Sequence, residues 1–321
     1  MRFLAFFLLA SVTLLPASNA LAQYPDRPVK IIVAYAAGGT ADILTRLMAD
    51  RLDRRLGQRF VVENRPGASG AIGTQAGATA APDGYTLTSG NISSHGINVS
   101  VFKSLPYDPV KDFAAITMIA ATPNVLVVHP SLGVNDLAGF IKLAKEQPDK
   151  IDFGSSATGG SPHLSGELLK VMAGINMNHV PYRGGGPMLN DLIAGHIKSG
   201  FDNLPSASAH IRNGTIKALA LTTPQRFPSF PDVPTMAEAG VPGYEVASWF
   251  GLFAPANTPR AVIDKIQQNI AAILAEPEMK ARLEELGAIP GGMSPEAFGE
   301  IVKREVAKWP DVVAKTGVKV E

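Results

Sequence analysis

Three short runs of glycine and hydroxyl residues carry most of the chemistry open to this sequence. They are Ala37-Gly38-Gly39-Thr40, Gly154-Ser155-Ser156-Ala157-Thr158-Gly159-Gly160-Ser161 and Gly184-Gly185-Gly186. Each follows an apolar, strand-like stretch and precedes a helical one. A strand–glycine turn–helix unit aims free backbone N–H groups and the positive end of a helix dipole at one point, which suits an anion. In the second run the hydroxyls of Ser155, Ser156, Thr158 and Ser161 could bind a carboxylate, solvate the loop, or cap the helix that holds Leu164. Tyr35 and Tyr182 stand at strand ends beside the turns, where each could wall a small ligand or pack into the core. Asp42 opens the first helix, and both dipole compensation and ligand contact suit it. His163 begins the helix after the second run; a neutral capping or packing role is the simpler reading, because an imidazole pKa falls near a helix N-terminus. Asp202-Asn203 ends a buried-strand pattern and could hold an amine or hydroxyl, or bond a loop amide.

Catalytic and cofactor chemistry finds little support. The glycines from Gly154 onward have the GxxxxG spacing of a phosphate loop, but Gly160 and Ser161 follow where Lys and Ser/Thr would stand. Gly67, Gly70 and Gly73 have GxxGxxG spacing rather than the dinucleotide GxGxxG, and read as close helix–strand packing. The histidines at 95, 129, 163, 179, 196 and 210 include no i, i+4 pair, so a metal site is not expected. No G-x-S-x-G elbow is present. The chain has 0 Cys, which removes disulfides and thiolate ligands. We expect no catalytic residue, no cofactor and no metal.

The elements that must position the turns follow from the hydropathy pattern. Arg2, the apolar run from Phe3 to Leu15, Pro16 and Ala20-Leu21-Ala22 read as a signal peptide, residues 1–22, cut before Gln23. No Cys follows the cut, so a lipid anchor is excluded, and the product is expected to be soluble and periplasmic. The 29 Lys+Arg balance the 28 Asp+Glu once Arg2 leaves with the leader, which argues against nucleic acid or an anionic lipid surface as partner. The length suggests about two domains at ~100–200 residues each. Val29 to Ala34, a helix with Leu44, Leu47, Met48, Leu52 and Leu56 on one face, Phe60 to Glu63, an alanine-rich helix and Tyr85 to Thr88 give a β-α-β-α-β order. Ile116 to Ala120 and Val125 to Val128 read as two strands split by Thr122-Pro123-Asn124, a crossing into a second domain. Leu137 to Glu146, Leu164 to Met172 and Met188 to Ala194 read as its helices. Trp249 to Ala254 returns the chain; a helix from Thr258-Pro259 and another capped by Ser294 complete it. The expected domains are 23–122 with 246–321, and 123–245.

These segments, in order, resemble the Bug-type extracytoplasmic solute receptors of tripartite tricarboxylate transporters. The resemblance rests on Tyr24-Pro25-Asp26-Arg27-Pro28-Val29-Lys30, Val62-Glu63-Asn64-Arg65-Pro66-Gly67, Pro82-Asp83-Gly84-Tyr85-Thr86-Leu87, His163-Leu164-Ser165-Gly166-Glu167, Val180-Pro181-Tyr182-Arg183-Gly184, Phe201-Asp202-Asn203 and Trp249-Phe250-Gly251-Leu252-Phe253-Ala254-Pro255. It implies a two-domain α/β Venus-flytrap periplasmic binding protein of type II character, each domain a mostly parallel sheet flanked by helices. It implies a carboxylate held between the Ala36–Asp42 and Gly154–Ser161 turns. Tyr35, Ala37, Gly38, Gly39, Asp42, Ser89 and Asn91 would serve from the first domain. Ser155, Ser156, Thr158, Gly159, His163, Tyr182, Gly184 and Asp202 would serve from the second. Family members often carry Pro-Thr-Asp after the paired glycines; here the triple is Thr40-Ala41-Asp42, so the hydroxyl has moved. The expected partners are a small organic acid (di- or tricarboxylate, amino acid or aromatic acid) and the permease subunits of a membrane transporter. A sensory subunit presenting ligand to a membrane kinase, and an α/β enzyme acting on an anionic substrate, are the alternatives.

Overall fold

A computed structural model describes residues 24–320. The expected signal peptide at 1–22 lies outside the described residues. β1 (Val29–Val33), α1 (Thr40–Leu56), β2 (Phe60–Asn64), α2 (Ala71–Ala78) and β3 (Thr86–Asn91) build the first β-α-β-α-β unit. β1 pairs in parallel with both β2 and β3, so it is buried on both faces, as its unbroken apolar run requires. Leu44, Met48 and Leu52 of α1 pack on it, while Leu47 and Leu56 are half-buried. Burying one such leucine contributes ~1.5–3 kcal/mol. Gly57 ends α1 at φ +69°, a left-handed cap whose N–H donates to Asp53.

A π-helical turn over Ser93–Ile97 and α3 (Asn98–Val101) lead to β4 (Phe113–Val128), a single strand of 16 residues. Thr122-Pro123-Asn124, read above as a break, lies inside it. Pro123 sits where β4 changes partners, so its missing N–H falls at the end of one ladder. Next come α4 (Leu137–Glu146), β5 (Asp152–Ser155), α5 (Ser161–Ala173), β6 (Asn178–Pro181), α6 (Gly185–Ile193), β7 (Ser199–Asn203), α7 (Leu204–Arg212) and β8 (Lys217–Leu221). The proline-rich stretch from 223 to 242 contains no strand or helix. β9 (Ala247–Pro255) returns the chain, and α8 (Arg260–Ala275), α9 (Pro277–Leu286), β10 (Ile289–Pro290) and α10 (Pro295–Thr316) follow. α10 is capped by Ser294, whose Oγ accepts from Ala297 N–H at 3.2 Å.

The strand order is β2-β1-β3-β9-β4-β7-β5-β6, with β8 and β10 also on β4. The parallel pairs expected from the β-α-β order are β2-β1-β3 in one lobe and β6-β5-β7 in the other. Between them the crossover strands pair antiparallel, since each runs out of one lobe as its neighbour runs in. β4 pairs with β9 as far as Pro123–Ala247 and with β7 from Asn124–Asn203 onward. Buried Thr222 ties the two crossover segments: its Oγ1 donates to the Val246 carbonyl at 2.6 Å, and Asn124 N–H donates to it at 2.9 Å. The result is a two-lobed α/β molecule joined by β4 and the segment entering β9. Among the described residues no helix is long and apolar enough to cross a membrane.

Candidate functional site

The lobes meet at their glycine turns. Ala36 N–H donates to the Arg183 carbonyl across the gap at 2.9 Å. A Cβ on Gly186 would stand 2.3 Å from the Ala37 carbonyl oxygen, and one on Gly184 2.9 Å from Ala36 N. The displaced hydroxyl of Thr40 makes a second bridge: its Oγ1 lies 2.9 Å from Ser206 Oγ, and Ser206 N–H donates to it at 3.2 Å. Ser161 N–H donates to Ser93 Oγ at 3.1 Å, a third.

Behind these bridges lies a cavity of about 20 Å³ lined largely by residues with polar side chains. That is about the space of one water, which needs ~10–15 Å³. Gly39, Thr40 and Ala41 line it from the start of α1, Ser161 and Pro162 from α5, Gly185 from α6, and Asp202 with Asn203 from the end of β7, directly before α7. Tyr35, Asn91 and Phe250 close it from the first lobe, with Ser93 and Ser248, and Ser156 from the second. None of these four helices is capped by the side chain of its own N-cap residue, although Ser93 and Thr40 accept from first-turn amides of α5 and α7 across the cleft. Four positive helix ends, each equivalent to roughly half a charge, therefore face one small volume. An outer chamber of about 290 Å³ adjoins it, sharing Tyr35 and Ser156 and adding Thr158, Tyr182, Arg183 and the Gly67–Gly70 turn. A larger concavity of about 750 Å³ lies behind the hinge near Pro123, Phe227 and Pro290, but its walls are mostly apolar.

The residues expected at the site divide into groups. Tyr35, Gly39, Asn91, Ser156 and Asp202 line the inner cavity, and Thr158 and Tyr182 the outer chamber. The others stand behind and shape the turns. Gly38 N–H, expected to be free, donates to Asp42 Oδ2 at 3.1 Å. Burial opposes the charge on Asp42, but bonds from Arg46, Gly38 and Asn64 outweigh it and hold its carboxyl below the usual range. Ala37 and Gly38 are exposed and abut Gly186. Ser89 accepts from Thr45 Oγ1 at 2.7 Å, beneath α1. Gly184 backs against Ala36.

The second-lobe turn has its own scaffold. Gly159 N–H donates to His163 Nδ1 at 2.8 Å, which leaves the His163 proton on Nε2, 3.5 Å from Glu167 Oε1. His163 stacks on His179 at 3.7 Å, and His179 Nε2 lies 2.7 Å from Ser155 Oγ. Burial, reinforced by His163, pushes the His179 imidazole down to about 3, so His179 is neutral. These side chains hold the turn; Ser155 is fully buried and does not reach the cavity. Tyr182 Oη donates to Asp191 at 2.8 Å. Tyr35 Oη donates to Asn91 Oδ1 at 3.3 Å, and burial pushes its phenol up to about 12.

Sequence reasoning missed Ser93 and Ser248, which come from segments with no glycine turn, and the fourth helix end. Leu204-Pro205 carried the signal for α7, proline in a first turn, directly after Asp202-Asn203.

Two lobes, a strand hinge and a polar cleft between glycine turns define a solute receptor of the periplasmic binding protein kind. The chain belongs to the tripartite tricarboxylate transporter family receptors, whose family model matches residues 44–318. It is 36% identical over 299 residues to Protein BugT of Bordetella pertussis, covering 93% of this chain and 92% of the relative. Among solved structures, Rpa4515 of R. palustris with adipate is 41% identical, covers 92% of this chain and 99% of that one, and has a TM-score of 0.90. MatC from Rhodopseudomonas palustris with bound malate is 32% identical, with coverage of 90% and 100% and a TM-score of 0.85. The periplasmic binding protein BugD is 34% identical, with coverage of 92% and 99% and a TM-score of 0.88. Such proteins are solute receptors rather than enzymes.

Proposed function

We propose that the protein, exported by a leader cut before Gln23, captures a small organic carboxylate between its lobes and delivers it to the permease subunits of a tripartite tricarboxylate-type transporter. The observation that carries the reading is the convergence of the N-termini of α1, α5, α6 and α7 on one cavity. Main-chain donors already oriented by glycine turns bind a carboxylate with little reorganisation. The boundaries we assign are 23–122 with 246–321 for one lobe and 123–245 for the other; the change of partners along β4 at Pro123–Asn124 supports them. An inner cavity and an outer chamber of about 290 Å³ suit a short-chain acid rather than a large ligand. Relatives with adipate and malate bound favour the same class.

The test is a thermal-shift screen over organic acids, opening with adipate and malate, with mass spectrometry of anything released from the purified protein. An acid at ~100 times its Kd stabilises by about 2.7 kcal/mol, a clear rise in Tm. A broad panel without a shift, and no retained small molecule, overturns the receptor reading. Co-purification of permease subunits with the liganded protein tests delivery.

A further inference from the structure

Asp202 is the unusual member of the cavity. Its side chain is 1% exposed, and Ser206 Oγ donates to its Oδ2 at 2.6 Å. No lysine, arginine or histidine lines the cavity with it. A Cβ on Gly185 would stand 2.8 Å from its Oδ1, so only bare backbone fits there. The charged groups on the surrounding elements are engaged elsewhere. Asp42 pairs with Arg46 on α1, and His163 and Lys170 pair with Glu167 on α5. Asp191 on α6 bonds Tyr182 and His196, His179 on β6 bonds Ser155, and Arg183 faces the outer chamber. On α7 itself, Arg212 donates to carbonyls of Glu285 and Ser229. Its register partner on β4 is Val125, and the β5–β7 pairing nearest to it is Gly154–Gly200; none of these carries a charge.

A ligand carboxylate enters this cavity only as the lobes part beyond this one-water space, and it then places a second acid beside Asp202 with no basic side chain in the lining to offset the charge. Two carboxylates sharing a dry site do not both stay ionised. We propose, building on the receptor reading above, that Asp202 is a neutral acid in the liganded cleft, its proton bridging to the bound carboxylate, so that capture of the anion takes up one proton from solvent. The balance is simple: an ionised Asp202, one proton and the ligand carboxylate become a carboxylic acid hydrogen-bonded to a carboxylate. No other bond changes. With the lobes together, burial raises the Asp202 carboxyl to about 7, which sets the range over which the uptake shows. Asp202 thereby acts as a selecting residue: it favours ligands that accept a hydrogen bond in the inner cavity.

The experiment is titration calorimetry of the full mature chain with adipate and malate at pH 6 to 9, in buffers of different ionisation enthalpy. The acids' own carboxyls, with ordinary values near ~4, are ionised throughout. The expected result is a proton number near zero at pH 6 that rises toward one by pH 9. Affinity should fall about tenfold per pH unit above neutrality. Asp202→Asn should bind with no proton uptake and a flat pH profile. Ser206→Ala, which removes a donor that favours the ionised form, should move the onset to higher pH, and it serves if the first variant does not fold. Binding with no proton uptake in the wild type overturns this proposal and leaves the receptor standing, as does an amino acid that binds in preference with no uptake. Absence of binding by either acid and by the wider panel overturns the receptor reading and this proposal with it.

Discussion

Gly186→Ala separates closure of the lobes from stability of either lobe. The three nearest atoms to a Cβ at this position are the Ala37 carbonyl oxygen at 2.3 Å, the Ala37 carbonyl carbon at 3.3 Å and the Gly38 carbonyl carbon at 3.3 Å. All belong to the opposite lobe. Within its own lobe the methyl group meets nothing as close, and alanine is a better helix former than glycine by up to ~1 kcal/mol. The closest contact is about 1 Å short of van der Waals separation, so the turns must part by that amount. Such a shift breaks the Ala36–Arg183 bond of 2.9 Å and strains the Thr40–Ser206 bridge of 2.9 Å. Each is worth ~1 kcal/mol net, which makes ~1–2 kcal/mol against the closed form. The affinity for the acid should weaken roughly five- to thirtyfold. Calorimetry against wild type gives the Kd, and the Tm without ligand should be unchanged or slightly higher. An unchanged Kd in a normally folded variant refutes the reasoning, because it means that the liganded form does not bring these turns together. A large loss of Tm without ligand refutes it differently, by placing the clash within the folded lobe.

Further outcomes follow from the same contacts. The Asp202 carboxyl is raised from 3.8 to about 7, chiefly by burial, so the folded state holds a proton more tightly than the unfolded chain and loses stability as pH climbs through that window. Without ligand, Asp202→Asn should match wild type near pH 4 and exceed it at pH 8 by at most ~4 kcal/mol; urea unfolding at both pH values checks this, and a pH-independent difference contradicts it. His95 and His179 have the opposite sign: burial holds both near 3, the unfolded chain takes up protons first as pH falls below 6.5, and stability is lost from there down to the folded values. His179→Gln should reduce the acid slope by up to ~1.4 kcal/mol per pH unit between pH 6 and 4, and an unaltered slope would place the acid sensitivity elsewhere. Ser294→Ala removes the acceptor for Ala297 N–H and should cost ~1 kcal/mol, seen as a lower Tm with no change in ligand Kd. A changed Kd would mean that α10 acts on the cleft.

What could be read from the residues, and what could not, divides along the range of the interactions involved. β1, α1 and α4 were legible because their apolar positions repeat at the strand or helix period and their ends carry glycine or a capping Asp136. A change in the strand pattern was legible at Pro123, but its form was not. Proline predicts a break, and only the exchange of β9 for β7 as partner lets the strand run on through it. The glycine turns marked the helix starts because a helix start needs only a few consecutive residues to reveal itself. Whether a given amide is free is a different question, decided by side chains. Asp42 takes the Gly38 amide and His163 that of Gly159, while Ser93 and Thr40 take the first-turn amides of Ser161 and Ser206 from across the cleft. Gly67 to Gly73 shows the same division in one motif. A Cβ on Gly73 would meet Ala34 Cα at 2.7 Å, the close packing expected, while Gly67 and Gly70 line the outer chamber. Ser93 and Ser248 join the site through lobe-to-lobe contacts that leave no local pattern. Local spacing thus reveals where a receptor can present main-chain donors, and the choice among them is made by contacts between segments far apart in the chain.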